Sequence, residues 1–250
     1  MAFFGNFDWD HVNRQLARGR CRAQRVNEYA HVRAPVNGAP RASNPERPRD
    51  GLALARAAAA DCRRCELWRG TTQTVFGGGP VPASLMLVGE QPGDHEDREG
   101  RPFVGPAGAL LDRALHDAGI SRREVFLTNA VKHFKYRSRG KRRIHQRPTA
   151  EEARACRPWI TAELEAAAPR VLVALGATAA RSLYGPSVRV TRDRGRPLDC
   201  GLAPATFVTI HPSAILRGPT EARAAEYEAL VVDLEAAALA AREGGPRRRR

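Results

Sequence analysis

The sequence predicts a three-layer α/β sandwich around a four-stranded, mainly parallel central sheet. Three observations carry that expectation. Short apolar runs of strand length alternate with helical segments, no internal repeat is present, and three of the four runs end in polar residues able to do chemistry. The alternation begins with an Ala-rich helix at 52–60 that runs into Asp-Cys-Arg-Arg-Cys. SLMLVG (84–89), bounded by Pro82 and Gly89, reads as a buried parallel strand. A helix follows at 106–118, with Pro106 suited to its first turn and Gly119 to its C-terminal stop. VFLTNA (125–130) is the second strand. The helix at 149–168 opens on Thr149 with Glu152 three residues later, a capping box. RVLVALG (170–176) is the third strand and ATAARSLYG (177–185) its helix. TFVTI (206–210) is the fourth, ending at His211-Pro212-Ser213, and a helix at 220–241 closes the domain.

Composition and charge narrow the class. The 250 residues hold 41 Lys+Arg against 27 Asp+Glu, a formal charge of +14. Only Lys132, Lys135 and Lys141 are lysines, and with abundant Ala, Gly and Pro this suggests G+C-rich codons. The excess over acids still favours a polyanionic partner, nucleic acid before acidic membrane. No run approaches the ~18 apolar residues of a membrane span. MAFFGNFDWD has neither the basic nor the apolar stretch of a secretory signal. Five cysteines are too few for a disulfide scaffold, so a reducing cytoplasm is expected, where clustered cysteines more often mean metal.

Residues 1–50 carry net +4, with four prolines in 31–50, and are expected to be a flexible extension with a short helix around 10–30. The Arg tail, 246–250, carries another +4. The domain, 51–245, is left with +6, yet residues 132–147 alone hold eight cations, two histidines and no acid. The remainder of the domain is therefore slightly acidic.

Four constellations carry chemistry. GEQPGDHEDREGRPFVGPAGALLDRAL (89–115) is a Gly/Pro-rich strand-to-helix loop; it is either a ligand cradle or only a turn. Cys62-x-x-Cys65 has His133 and Cys156 as further soft ligands, enough for a tetrahedral zinc or an iron–sulfur cluster, with Cys156 as a plain buried thiol the alternative. Cys21 and Cys200 lack partners at ligand spacing and read as structural or incidental. The basic stretch VKHFKYRSRGKRRIHQRPT (131–149) reads as a solvated, phosphate-contacting surface, which leaves His145 unexplained. His211, directly after a buried strand, is either structural or a donor to a ligand at the sheet rim, with Ser213 and the following amides available to a phosphate.

Taken together, GEQPGD, GRPFVGPAG, TNAVKHF, KRRIH and HPS occur in the order found in the uracil-DNA glycosylase superfamily. The set resembles the iron–sulfur family four, and most closely its UdgX branch, over 51–245; KRRIH is that branch's distinguishing insertion. The resemblance implies that Phe103 stacks on an extruded uracil, Asn129 reads its polar edge, His211 donates to O2, and Gln91 is a further uracil contact. Glu90 and Gln91 fall where other members carry a water-activating or cation-stabilising group, and glutamine cannot be a general base. The resemblance implies that His145 attacks C1′ of the sugar and stays bonded, with Lys141, Arg142 and Arg143 lowering its pKa while holding phosphates. Lys141, Arg142, Arg143, Ser213 and Arg217 are the expected DNA contacts.

Cys62, Cys65, His133 and Cys156 are the implied ligands of a [4Fe-4S] cluster, with zinc as the alternative. The implied partner is uracil-containing DNA, single-stranded favoured, bound by a monomer in the bacterial cytoplasm and nucleoid-associated when on DNA. Two alternatives remain open: a multiple-turnover family-four glycosylase, and a noncatalytic, zinc-stabilised nucleic-acid-binding module.

Overall fold

The computed structural model describes residues 22–23 and 47–243. Four parallel strands form the centre: β2 (Leu85–Gly89), β3 (Val125–Asn129), β6 (Val171–Leu175) and β8 (Ala205–Thr209), in the spatial order β8-β6-β2-β3. The sheet extends past β8 by two short antiparallel pieces, β7 (Leu198–Asp199) and β1 (Arg22–Ala23). The sequence shows neither, because two-residue strands have no periodicity. The helix expected around 10–30 lies outside the described residues except at Arg22–Ala23, which pair as a strand instead. Cys200, beside β7, is disulfide-bonded, so it has a structural role; Cys62, Cys65 and Cys156 are free thiols.

Every residue of the four central strands is buried. Alternate side chains point to opposite faces, so each strand feeds two cores. Met86, Val88, Phe126 and Leu172 pack with α1 (Arg47–Ala60), α4 (Ala150–Ala167) and α5 (Gly176–Tyr184). Leu85, Leu87, Val125 and Val173 pack with α3 (Pro106–Asp117), α7 (Pro212–Arg217) and α8 (Thr220–Glu243). This is the predicted three-layer arrangement.

The helix ends follow the sequence signals. Pro106 sits in the first turn of α3, and Gly119 takes the left-handed conformation just past its end, φ +67°. Thr149 Oγ1 accepts the Glu152 amide at 3.2 Å while Glu152 Oε2 accepts the Thr149 amide at 2.6 Å. Two elements go beyond the sequence expectation, and both matter for the site. Asp94–Glu99 forms a helical turn and a half, α2, within the Gly/Pro-rich loop. The basic stretch folds into an antiparallel hairpin of β4 (Tyr136–Arg139) and β5 (Arg142–His145). The short α6 (Val190–Asp193) lies between α5 and β7. Among the described residues no helix is long and apolar enough to cross a membrane.

Candidate active site at the strand ends

Gly89 and Asn129 are register partners at the carboxyl ends of β2 and β3. A Cβ on Gly89 would lie 2.3 Å from Asn129 Oδ1 and 2.7 Å from Phe103 Cζ, so glycine lets these two side chains close over the strand end. Phe103 holds a left-handed backbone, φ +57°, that bulky residues rarely adopt. Its neighbours hold it there. Gly108 admits the Phe103 carbonyl, which would meet a Cβ at 2.0 Å. Glu96 of α2 accepts the amides of Val104 (3.0 Å) and Gly105 (2.8 Å) through Oε1 and that of Gly93 (2.9 Å) through Oε2. A carboxylate satisfied by three amides fixes the loop that presents the ring.

The Phe103 ring stacks against His211, centroids 6.0 Å apart and 27° between planes. His211 Nδ1 accepts the Ser213 amide at 3.1 Å, which leaves the proton of a neutral ring on Nε2. Burial, then the charges of Arg217 and His145, lower its pKa to about 4, so the ring is neutral at pH 7 and Nε2–H is a fixed donor. The Ser213 hydroxyl lies 2.8 Å from the same Nδ1. Ser213 therefore orients His211, where the sequence suggested a phosphate contact.

Gln91 also differs from expectation. Its carboxamide donates to the carbonyls of Lys135 (3.2 Å) and Gln146 (3.0 Å) and accepts the Lys135 amide (3.1 Å). Both amide hydrogens are used. The side chain braces the base of the β4–β5 hairpin instead of reading a base or acting on a water.

That brace sets His145, the last residue of β5 and opposite Tyr136 in the hairpin. His145 Nε2 lies 3.4 Å from Glu90 Oε1, and the imidazole remains 43% exposed. Arg147 reaches the other Glu90 oxygen at 3.9 Å. Burial lowers the His145 pKa, Glu90 opposes that, and Arg217 and Arg147 add to it. The sequence assigned this lowering to Lys141, Arg142 and Arg143, but Arg143 faces inward. Its guanidinium pairs with Asp94 and Asp97 and lies over the Phe134 and Tyr136 rings. With both carboxylates on it, Arg143 pins the hairpin to α2. Lys141 and Arg142 are exposed near the tip, and Arg217 is exposed beside the two histidines.

The eight cations of 132–147 thus divide. Arg143 is neutralised from below, Lys135 pairs with Glu152 at 2.9 Å, and Lys132 is buried outright. Lys132 Nζ donates to Glu163 Oε2 (2.6 Å), Thr128 Oγ1 (2.7 Å) and the Asn129 carbonyl (2.7 Å). Glu163 also accepts from Thr128 Oγ1 (2.7 Å) and the Gly77 amide (2.6 Å). This closed network fixes the backbone that carries Asn129.

The Cys/His set lies directly beneath it. Cys65 hydrogen-bonds Cys156 and His133, contacts that lower its pKa to about 4, while the Cys65 contact and burial raise that of Cys156. The Lys132 amide donates to Cys156 Sγ at 3.4 Å and Trp159 Nε1 to Cys62 Sγ at 3.1 Å. His133 Nδ1 is buried without a hydrogen-bond partner, an orphan that a ligating bond would satisfy. Among the described residues no three His, Cys, Asp or Glu side chains converge as a single metal ion requires. Three thiols and one imidazole are soft donors of the kind that hold zinc or an iron–sulfur cluster.

Glu96, Asp97, Glu163 and Arg147 escape a reading of the sequence. Glu96 has a signal, since Gly93-x-x-Glu96 is a capping box whose first member lacks a side chain. Lys132, one of three lysines, reads as surface in the sequence and is buried in the fold.

The Uracil DNA glycosylase superfamily matches residues 76–235, a span that holds Gly89, Phe103, Asn129, His145 and His211. The chain is 40% identical over 157 residues to the "Type-4 uracil-DNA glycosylase" of Thermotoga maritima, covering 62% of this chain and 78% of that one. It is 34% identical over 178 residues to the protein of that name from Saccharolobus solfataricus, covering 68% and 79%. A "Type-5 uracil-DNA glycosylase" of Pyrobaculum aerophilum is 37% identical over 136 residues, 48% of this chain and 57% of that one. The match spans the four central strands, the rim and the hairpin, and the chain belongs to the uracil-DNA glycosylase superfamily.

Proposed function

We propose that the chain excises uracil from DNA and is then captured on the product sugar through His145. The observation that carries the reading is the neutral, half-exposed His145 held 3.4 Å from Glu90 at the rim that also carries Asn129, Phe103 and His211. Uracil, flipped out or single-stranded, stacks on Phe103 and is read by Asn129. The C1′–N1 bond breaks with its electron pair on uracil. The His211 Nε2–H donor stabilises the charge developing on O2, an effect worth ~3 kcal/mol where such donors are preorganised. A lone pair of the neutral His145 ring then bonds to the cationic C1′. The resulting imidazolium gives its remaining N–H proton to Glu90 or solvent, and the uracil anion takes a proton from solvent. Uracil-containing DNA, single-stranded favoured, is the partner of a monomer acting in the bacterial cytoplasm at the nucleoid.

Cys62, Cys65, His133 and Cys156 would hold a [4Fe-4S] cluster. When bound, it would cross-link the segment before the sheet, the root of the hairpin and α4. The orphaned His133 Nδ1 and the thiol-rich donor set support that fit.

A second reading keeps water as the nucleophile, with Glu90 polarising it and the enzyme turning over; the Type-4 names of the relatives favour it. A uracil-containing single-stranded oligonucleotide separates the two. Capture gives an SDS- and heat-stable shifted band with one uracil released per protein, and His145→Ala loses the band. Release of many uracils per protein without a band would sink the capture mechanism and leave the glycosylase.

A further inference from the structure

The start of α4 and the facing side of α5 enclose a cavity of about 320 Å³ that the reaction above does not use. Four arginines line it: Arg147, Arg154, Arg157 and Arg181. Thr149 and Ser182 add hydroxyls, and among the described residues no Asp or Glu lines it. Guanidinium groups gathered in a partly enclosed space attract an anion. Burial and the charge of Arg154 both lower the pKa of Arg157. One Arg157 nitrogen is spent on the Ser182 carbonyl at 3.4 Å, which orients its guanidinium at the cavity wall. The cavity adjoins the rim directly, because Arg147 contributes to its wall and also lies 3.9 Å from Glu90.

We propose that this cavity binds a backbone phosphate of the DNA strand, next to the nucleotide held at the strand ends. Guanidinium forks match phosphate oxygens two at a time, and several around one anion fix the path of a flexible strand. The hairpin tip would grip the strand from one side of the flipped nucleotide and the arginine cavity from the other. The proposal rests on the DNA-directed reading of the site but needs no glycosidic cleavage.

The test uses the full chain and short fluorescent single strands containing either uracil or thymine. The double variant Arg154→Gln/Arg181→Gln is expected to weaken both strands alike, about tenfold. The slope of log affinity against log salt should flatten by about 0.7 for each phosphate no longer neutralised. Both side chains are exposed, and the single variant Arg154→Gln covers the case in which the double one fails to fold. Methylphosphonates then neutralise one phosphate at a time. At one position beside the uracil, neutralisation should weaken the parent protein but cost the double variant little, since the partner is already gone. Equal losses in parent and variant at every position would overturn the proposal. Inorganic phosphate that stabilises the parent but not the variant, without coupling to any strand position, would assign the cavity to a free phosphate and overturn it as well. Coupling on thymine strands with no uracil release on uracil strands would keep the cavity and sink the glycosylase reading.

Discussion

The strand-end rim and the β4–β5 hairpin meet at Glu90 and His145 yet are built on opposite principles. The rim is set by the core: Gly89 and Asn129 end buried strands, Phe103 is locked by Glu96 and Gly108, and His211 is oriented by Ser213. The hairpin has almost no core. It is held from beneath by polar clamps, namely Gln91 on the carbonyls of Lys135 and Gln146, Asp94 and Asp97 on Arg143, and Tyr136 donating to the Gly70 carbonyl at 2.6 Å. On the proposed function, a neutral base would be read by a rigid site with little free charge, and a charged backbone would be met by exposed cations on a surface element. Separate construction lets one be damaged without the other.

Gly89→Ala should break the rim most severely. Its Cβ would displace Asn129 and Phe103, and misplacement of about 1 Å at a reacting centre can cost 10²-fold in rate. Thymine-strand affinity, which the proposed phosphate contacts would set, should change little; an equal fall in both would erase the distinction. Glu163→Gln comes next, leaving the Lys132 ammonium in the core without its counter-charge. Breaking a buried pair from one side typically costs ~3–5 kcal/mol, read here by urea unfolding. Glu163→Gln/Lys132→Met should recover much of it, and uracil-over-thymine selectivity should remain impaired because nothing then holds the Asn129 carbonyl.

Gln91→Ala should free the hairpin base. We expect the rate of adduct formation to fall about tenfold at saturating DNA while uracil selectivity persists, since an unbraced His145 samples the productive geometry less often. A loss of selectivity instead would return Gln91 to the base-reading set. In pH profiles the depressed His211 pKa keeps its stabilising contribution whole above about 6.5, the unfolded value, and loses it as the pH falls toward about 4. Unfolding free energy should therefore decline over that window, and His211→Asn should flatten the decline. Arg142→Ala at the exposed tip is the mildest change, a loss of about twofold in affinity that vanishes at high salt.

What could be read from the sequence follows the same division. Buried strands announce themselves as apolar runs, and Asn129 and His211 come at their ends because the chain must leave the sheet there. Thr149 and Gly119 mark helix ends by local chemistry alone. The hairpin lacks such a signature, since its burial is one-sided and its clamps come from residues 40 or more positions away, as with Gln91 and Lys135 or Asp94 and Arg143. Charge count could not distinguish Lys132, sunk against Glu163, from Lys141 in solvent, because identical side chains acquire opposite roles from the tertiary environment. Sequence position puts Ser213 and Gln91 at the correct rim but gives them the wrong partners, which only geometry supplies.

The hairpin also carries a parity. Arg143 and His145 are two apart on β5 and so project from the same side of the strand. One extra residue between them would send one of the two to the opposite face: either His145 leaves Glu90 or Arg143 leaves its carboxylates. Two extra residues would restore the facing while moving the His145 ring along the strand. Length changes in this arm are therefore counted in pairs, and a working transplant onto a relative's rim must bring its clasp on α2 as well as the histidine.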